Sequence, residues 1–215
     1  MNCNNPYHRG AGLYELNLAL PVISAIRRQE ARAVGGLIAH YGQPGGRALE
    51  VGPGTGFYTL ALARAFGEVV AVEDSPTMAG ILTRRLATAG VHNVTVLNHD
   101  FLARPPDGAF DVAVAIGVLD YIADPGAFVN RLCAAARRAV IITAPQRGLW
   151  GACFAAAGRL RKIRVYRHDR AVVQAWAPGW RCAVAEVGLT TRVTRGLTLV
   201  AALEPPREAP RVRTA

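Results

Sequence analysis

The chain has 215 residues, of which 51% are hydrophobic, and its formal net charge is +10. This length suits one ample α/β domain with a large core, and no apolar run reaches the ~18 residues that a membrane span needs. The four cysteines are widely spaced and form no CxxC pair, which argues against a zinc site or a disulfide framework and favours a reducing, cytoplasmic location.

Apolar segments and segments of helical periodicity alternate along most of the chain. A helical pattern extends from Leu13 to about Tyr41, with Pro21 placed for a first helical turn. The strands predicted after it are RALEVG, EVVAVED, NVTVLNHD, DVAVAIG and AVIITAP. The helices predicted among them are FYTLALARAF, SPTMAGILTRRLATAG and DPGAFVNRLCAAARR, the second with Ser75 as its N-cap. Continuous apolar strands that alternate with helices indicate a parallel sheet covered on both faces.

The C-terminal part predicts a further helix near residues 170–187 and then two strands, LTTRVT and LTLVAAL. Because these strands are only a few residues apart, we expect them to pair as an antiparallel hairpin. We divide the chain into an N-terminal helical segment at 1–42 that covers the site, a main domain at 43–204 and a tail at 205–215. The composition of the tail predicts disorder.

The segment EVGPGTG places three glycines, Gly52, Gly54 and Gly56, at alternate positions between a strand and a helix. Such a loop lies outside the carboxyl end of its strand, where open α/β sheets bind ligands, and glycine lets the backbone approach a ligand closely. The dinucleotide motif G-x-G-x-x-G would need a glycine where Phe57 stands, and no P-loop lysine is present. A P-loop is therefore excluded, and a nicotinamide or flavin cofactor is disfavoured.

Residues 50–56 resemble the first motif of class I S-adenosylmethionine-dependent methyltransferases, and further landmarks follow at the family's spacing within residues 45–145. The resemblance implies a Rossmann-like methyltransferase fold, with a seven-stranded, mostly parallel sheet, an antiparallel last strand and helices on both faces. It also implies S-adenosylmethionine as the cofactor. The implied cofactor-binding residues are Tyr14, Glu50, Gly52, Gly54, Gly56, Glu73, Asp74, Asp100, Phe101, Ile116 and Gly117.

The resemblance assigns a role to each of these landmarks. Glu73 ends the second predicted strand, where the family carries an acidic residue for the ribose hydroxyls, and Asp74 is positioned to share or take that role. Asp100 and Phe101 stand where the family binds the adenine amino group and flanks the adenine ring. The backbone at 116–117 would line the methionine end of the cofactor.

Two segments are positioned to cover the substrate. Residues 12–28 are similar to the opening segment of quinone-biosynthesis and phospholipid methyltransferases, in which a tyrosine closes over the cofactor, and Tyr14 would be that tyrosine. An insertion near 146–170 combines an apolar helical face with a cationic end, which suits a pocket wall or an interfacial helix. The order LDYI, insertion, VYRHD is similar to that of magnesium-porphyrin O-methyltransferases.

The residues that act on the acceptor have no recognisable motif. The sulfonium methyl is already activated, so such an enzyme mainly aligns the reacting atoms and excludes water. A hydroxyl acceptor would also need a general base. The candidates are Tyr121, Tyr166, His168 and Asp120, each of which is also compatible with a structural role. The catalytic residues therefore stay open, and no metal site is predicted.

The chain lacks the Asn/Asp-Pro-Pro-aromatic motif and the cysteine nucleophile of base methyltransferases, which argues against a nucleic-acid acceptor. We therefore expect methyl transfer to a small apolar or amphiphilic acceptor, such as a lipid headgroup, a quinone-like or a porphyrin-like molecule. Peripheral contact with an anionic membrane surface is compatible with this expectation. One alternative is an RNA methyltransferase that uses residues 137–170, which hold nine basic residues and one acidic residue. Another is a non-catalytic protein that binds S-adenosylmethionine.

Overall fold

The computed structural model describes residues 21–145, 166–187 and 198–206. Tyr14, the insertion from 146 to 165, the segment LTTRVT and the tail from 207 onward lie outside the described residues. No helix among the described residues is long and apolar enough to cross a membrane.

The described residues form five helices and seven strands. The helices are α1 (Pro21–Tyr41), α2 (Thr59–Ala65), α3 (Pro76–Thr88), α4 (Pro125–Ala135) and α5 (Arg170–Ala175). The strands are β1 (Gln43–Val51), β2 (Phe66–Val72), β3 (Val94–Leu97), β4 (Phe110–Ala115), β5 (Ala136–Pro145), β6 (Arg181–Val187) and β7 (Thr198–Glu204).

All seven strands belong to one sheet, in the order β3-β2-β1-β4-β5-β7-β6. Strands β1 to β5 pair in parallel, whereas β7 is antiparallel to both of its neighbours, β5 and β6. The predicted mostly parallel sheet with an antiparallel last strand is therefore confirmed. The strand order reverses between β1 and β4, and this switch point at the carboxyl ends is where open α/β sheets form a ligand crevice.

The two faces of the sheet carry separate apolar clusters because the side chains of a strand alternate between faces. Leu49 of β1 packs in a cluster with Phe128 and Leu132 of α4. Ala48 packs in the cluster that contains Leu62 of α2 and residues of α1. Helices therefore cover both faces, which leaves the carboxyl ends of the strands as the accessible edge.

Two helices begin at side-chain caps, and the cap at Ser75 is the one that was predicted. The hydroxyl of Ser75 accepts a hydrogen bond of 3.4 Å from Met78 N, and Pro76 occupies the first turn of α3. Asp124 Oδ1 accepts a bond of 3.2 Å from Ala127 N at the start of α4. These caps fix where α3 and α4 begin, immediately after loops at the carboxyl edge of the sheet.

The helix predicted near 170–187 was wrong in its second half. Helix α5 ends at Ala175, and residues 181–187 form β6, which pairs antiparallel with β7. Pro178 and Gly179, whose φ is +82°, interrupt the helical pattern between the two elements. The strand that pairs with β7 at the end of the sheet is therefore β6.

Candidate functional site

The glycine loop after β1 consists of residues 52–56 and takes positive φ values at Gly52, Gly54 and Gly56. A β-carbon at Gly52 would collide with the side chain of Val118, and one at Gly56 would collide with Leu82. A β-carbon at Gly54 would meet no atom within 4 Å. The outer two glycines therefore allow close packing, whereas the middle one borders open space.

Glu73 follows β2 directly, is buried, and holds the glycine loop. Its Oε2 accepts a hydrogen bond of 2.9 Å from Gly54 N, and its Oε1 accepts one of 3.0 Å from Ser75 N. Burial raises the pKa of Glu73 and the neighbouring Asp74 adds to this, although both backbone bonds oppose the increase. An ionised carboxylate has about four lone-pair sites, so the two oxygens keep capacity for hydroxyl donors of a ligand.

Glu50 is the second-last residue of β1, just before the loop, and is also buried. Its Oε2 accepts a hydrogen bond of 2.6 Å from the hydroxyl of Thr59, which begins α2. Burial raises the pKa of Glu50 to about 7, with a smaller contribution from the charge of Glu73 and an opposing effect of the Thr59 bond. A positively charged ligand near this carboxyl would favour its ionised form.

Asp100 and Phe101 follow β3 in a tight turn. Asp100 Oδ1 accepts a hydrogen bond of 2.8 Å from Leu102 N, which fixes the orientation of the carboxylate. The ring of Phe101 is buried in the core and makes an edge-to-face contact with Phe128, with 5.6 Å between centroids. The position of Phe101 beside an adenine ring therefore stays a prediction.

The loop after β4 contains a second opening at the carboxyl edge. Gly117 has a φ of +70°, and a β-carbon there would meet no atom within 4 Å. Its N–H donates a hydrogen bond of 2.8 Å to Thr143 Oγ1 on β5, while half-buried Ile116 packs towards the α1 side of the sheet. Gly54 and Gly117 therefore border open space after β1 and β4, the two strands of the switch point.

Of the four base candidates, the structure places Asp120 and Tyr121 in the β4 loop and bonds the backbone of Tyr166 to it. Tyr121 N donates a hydrogen bond of 3.0 Å to Val118 O, and Tyr166 N donates one of 2.8 Å to Asp120 O. His168 instead lies beside β5, where its N–H donates to Pro145 O and its ring meets Trp176 edge-on. Asp120, between these groups, is half-buried.

Glu30 of α1 is a buried acidic residue that the sequence analysis missed. Its Oε1 accepts hydrogen bonds of 3.1 Å from Tyr58 Oη and 3.2 Å from Arg27 Nη1. A signal was present, because Glu30 lies four residues before Val34 and shares the buried face of an amphipathic helix. A carboxylate at such a position needs partners, and these come from the end of the glycine loop and from α1 itself.

Residues 48–139 match the model of a family described as a methyltransferase domain. This part of the chain is a methyltransferase domain. The identification confirms the resemblance to the class I family in the segment that carries β1 to β4, the glycine loop, Glu73 and Asp100. The specific contacts of these residues with a cofactor stay predictions.

Curated relatives match only part of this chain. A ribosomal RNA small subunit methyltransferase A from Desulforapulum autotrophicum is 36% identical over 77 residues, which are 35% of this chain and 27% of that protein. A ubiquinone biosynthesis O-methyltransferase from Xanthomonas campestris pv. campestris is 30% identical over 92 residues, which are 42% of this chain and 38% of that protein. The chain thus matches well under two thirds of the length of these relatives.

Solved structures extend the likeness of the methyltransferase fold over most of the chain. Magnesium protoporphyrin IX methyltransferase from Synechocystis PCC 6803, solved with bound SAH, has a TM-score of 0.68 and 20% identity. The match covers 86% of this chain and 88% of that one. At this level of identity the likeness establishes the fold.

Proposed function

We propose that this protein transfers a methyl group from S-adenosylmethionine to a small apolar or amphiphilic acceptor. The observation that carries the proposal is the open space at Gly54, whose N–H donates to the buried carboxyl group of Glu73. It occurs inside the segment that matches the methyltransferase-domain family. Because glycine has no side chain, a ligand can occupy this space in direct contact with the backbone.

The residues of the carboxyl edge fit the parts of this cofactor. Glu73, with Asp74 beside it, would accept hydrogen bonds from the ribose hydroxyls, and the free capacity of the Asp100 carboxylate would serve the adenine amino group. The backbone at Gly54 and Gly117 would line the methionine part. When bound, the cofactor supplies an electrophilic methyl group on a sulfonium. The protein's own contribution is to hold the reacting atoms in line and to exclude water.

The acceptor class is supported by the relatives and by the surface beside the loop. One matching relative is named for ubiquinone biosynthesis and one structural neighbour for magnesium protoporphyrin IX. Phe57 follows the glycine loop and is 58% exposed, so one aromatic ring is accessible next to the loop. These observations favour an acceptor with an apolar body.

An RNA acceptor is the second candidate, and the ribosomal RNA methyltransferase relative favours it. The position of two of the basic residues at 137–170 favours it less. Arg137 and Arg138 lie at the amino end of β5, about 23–26 Å along the strand from its carboxyl end. Arg138 is engaged there with Tyr41 O and Gln43 Oε1. These two arginines therefore add little to a phosphate-binding surface around the open space.

Isotope transfer tests the proposal. The protein is incubated with methyl-labelled S-adenosylmethionine and an extract of its host, and the products are separated into organic, aqueous, protein and nucleic-acid fractions. Label in the organic fraction is the expected result. Label in RNA would replace the acceptor class with the second candidate. Binding of S-adenosylhomocysteine in calorimetry without any transfer would favour a non-catalytic binding protein.

A further inference from the structure

Helix α2 begins directly after the glycine loop and has no side-chain cap. Tyr58 stands at the N-cap position in a helical conformation and makes no capping bond, and no acidic residue lies in the first turn. Helix starts are commonly fixed by a side chain that accepts from the first N–H groups. Other contacts must therefore hold the beginning of α2, and with it the end of the glycine loop.

Two neighbouring hydroxyl groups make these contacts. The hydroxyl of Thr59 donates to Glu50 Oε2 on β1 over 2.6 Å, and Tyr58 Oη donates to Glu30 Oε1 on α1 over 3.1 Å. Both carboxyl groups are buried, so each bond satisfies a group that is costly to bury alone. The end of the glycine loop is thus tied to the sheet by Thr59 and to α1 by Tyr58.

Glu30 is also held by its own helix. Arg27 Nη1 donates to the same oxygen, Glu30 Oε1, over 3.2 Å. The ring of Tyr58 lies in the apolar cluster that contains Val34 and Ile38 of α1. The contact between Tyr58 and α1 therefore combines apolar packing with one hydrogen bond. A phenylalanine at position 58 would remove the bond and keep the packing.

Helix α1 runs from the carboxyl edge of the sheet to the amino edge. Its last residue, Tyr41, lies at the amino edge, because β1 begins at Gln43. At about 1.5 Å per residue, Glu30 lies about 16 Å along the helix from Tyr41. Nine residues of α1 precede Glu30 and extend about 13 Å past its contact with Tyr58. This end of α1 therefore continues beyond the start of α2, on the side of the sheet where the glycine loop lies.

We propose that Glu30 and Tyr58 are positioning residues of the cofactor site, which couple the docking of α1 to the binding of S-adenosylmethionine at the glycine loop. The inference rests on the proposed function, because it takes the open space at Gly54 as the place of the cofactor. Neither side chain needs to touch the ligand. A loop whose end is fixed is preorganised for binding. Because coupling is reciprocal, a bound ligand in turn strengthens the docking of α1.

The other end of α1 offers a matched control. Tyr41 Oη donates to Glu204 Oε1 over 2.7 Å, and Arg181 pairs with the same carboxylate. Helix α1 thus takes part in two tyrosine–glutamate bonds, and in each case an arginine remains on the carboxylate when the tyrosine hydroxyl is removed. Tyr41→Phe breaks the bond at the amino edge, and Tyr58→Phe breaks the one beside the glycine loop.

The first test compares affinity with stability. Calorimetry with S-adenosylhomocysteine and urea unfolding are carried out on the wild type and on Tyr58→Phe, Glu30→Leu, Glu30→Gln and Tyr41→Phe. We expect Tyr58→Phe and Glu30→Leu to weaken the affinity about fivefold or more, the lower end of typical coupling free energies. Glu30→Gln should recover most of this loss, because its amide oxygen still accepts from Tyr58. Tyr41→Phe should lower the stability and leave the affinity unchanged.

The second test measures the reciprocal effect by hydrogen exchange of the backbone amides around Glu30. S-adenosylhomocysteine should slow this exchange in the wild type and in Tyr41→Phe, and much less in Tyr58→Phe. A bond with a purely structural role would change the exchange rates without changing their response to the ligand. If Tyr58→Phe does not fold, the wild type still decides, because exchange in α1 that the ligand leaves unaltered would refute the coupling.

The outcomes separate this inference from the proposed function. Unchanged affinity in both Tyr58→Phe and Glu30→Leu, or equal losses in Tyr58→Phe and Tyr41→Phe, would refute the role of the contact while the proposed function stands. A wild-type protein that binds S-adenosylhomocysteine but transfers no methyl group to any fraction would overturn the proposed function alone, since the coupling is measured by binding. A wild-type protein that does not bind S-adenosylhomocysteine would overturn both.

Discussion

Gly54 N donates a hydrogen bond of 2.9 Å to Glu73 Oε2, which joins the middle of the glycine loop to the residue after β2. The two residues are 19 positions apart in the chain. The bond turns one oxygen of the carboxylate towards the loop, and the second oxygen accepts from Ser75 N at the start of α3. Glu73 therefore positions the glycine loop, and under the proposed function its remaining lone pairs would accept hydrogen bonds from the ligand.

Gly54→Val should abolish binding of S-adenosylhomocysteine, because its side chain would extend into the open space at the loop. Gly90→Val is the matched control: Gly90 also has a positive φ, of +64°, and open space around it, but it lies after the C-terminal end of α3. Both variants carry a left-handed strain of roughly 1–2 kcal/mol or more. Calorimetry with S-adenosylhomocysteine distinguishes them, and equal affinities for the two variants would mean that the ligand lies elsewhere.

Glu73→Gln should weaken binding of S-adenosylhomocysteine by about 1–3 kcal/mol, the scale for loss of a charged hydrogen-bond partner. The glutamine amide presents one oxygen and one NH₂, so it cannot accept from both Gly54 N and Ser75 N as the carboxylate does. Glu68→Gln is the control, since Glu68 is an exposed acid of β2 that pairs with Arg47. Titration calorimetry of both variants at one pH measures the difference. An unchanged affinity for Glu73→Gln would remove this residue from the cofactor site.

The protein without ligand should become less stable as the pH rises from about 5 to 8. Burial raises the pKa of Glu50 and of Asp120 to about 7, and that of Glu73 in the same direction. Because the folded state holds these protons more tightly than the unfolded state, their contribution to the free energy of unfolding is complete at acidic pH and is lost as the pH rises through the folded pKa. Urea unfolding at several pH values gives the slope of the free energy of unfolding against pH.

Glu50→Gln tests one part of this pH dependence. The variant keeps an acceptor for the hydroxyl of Thr59 but removes the titration of residue 50. The loss of stability between pH 5 and 8 should therefore be smaller than in the wild type. A slope that is the same in both proteins, or a wild-type stability that rises with pH, would contradict the raised pKa of Glu50.

Local patterns explain what the sequence analysis predicted. The apolar runs of β1, β2 and β4, the cap formed by Ser75 and the alternating glycines depend on neighbouring residues, and each was found at the predicted position. Glu73 was singled out through the family spacing, but its bond to Gly54 N was not foreseen. That contact depends on how β1 and β2 align, which no local pattern encodes.

The sequence analysis missed one contact between residues far apart in the chain and one short break between a helix and a strand. Glu30 and Tyr58 are 28 residues apart and meet only after α1 packs beside the glycine loop. Strand β6 was mistaken for part of a helix because AVVQAW continues into a segment of alternating apolar residues, and the short stretch around Pro178 and Gly179 separates the two. Periodicity over short windows cannot distinguish these alternatives without the pairing partner, β7.

Thr143 offers a last test, because its hydroxyl accepts the bond from Gly117 N and is buried on β5. Thr143→Val keeps the shape but leaves Gly117 N without this acceptor, which should cost about 1–3 kcal/mol of stability and let the β4 loop shift. Thr143→Ser keeps the hydroxyl and loses one methyl group, at about 1 kcal/mol. Both variants should thus be less stable in urea unfolding, Thr143→Val at least as much as Thr143→Ser, and they should differ clearly in affinity for S-adenosylhomocysteine, with Thr143→Val the weaker. Equal affinities would mean that the conformation of Gly117 does not depend on Thr143, and that the opening after β4 is held by the rest of the loop.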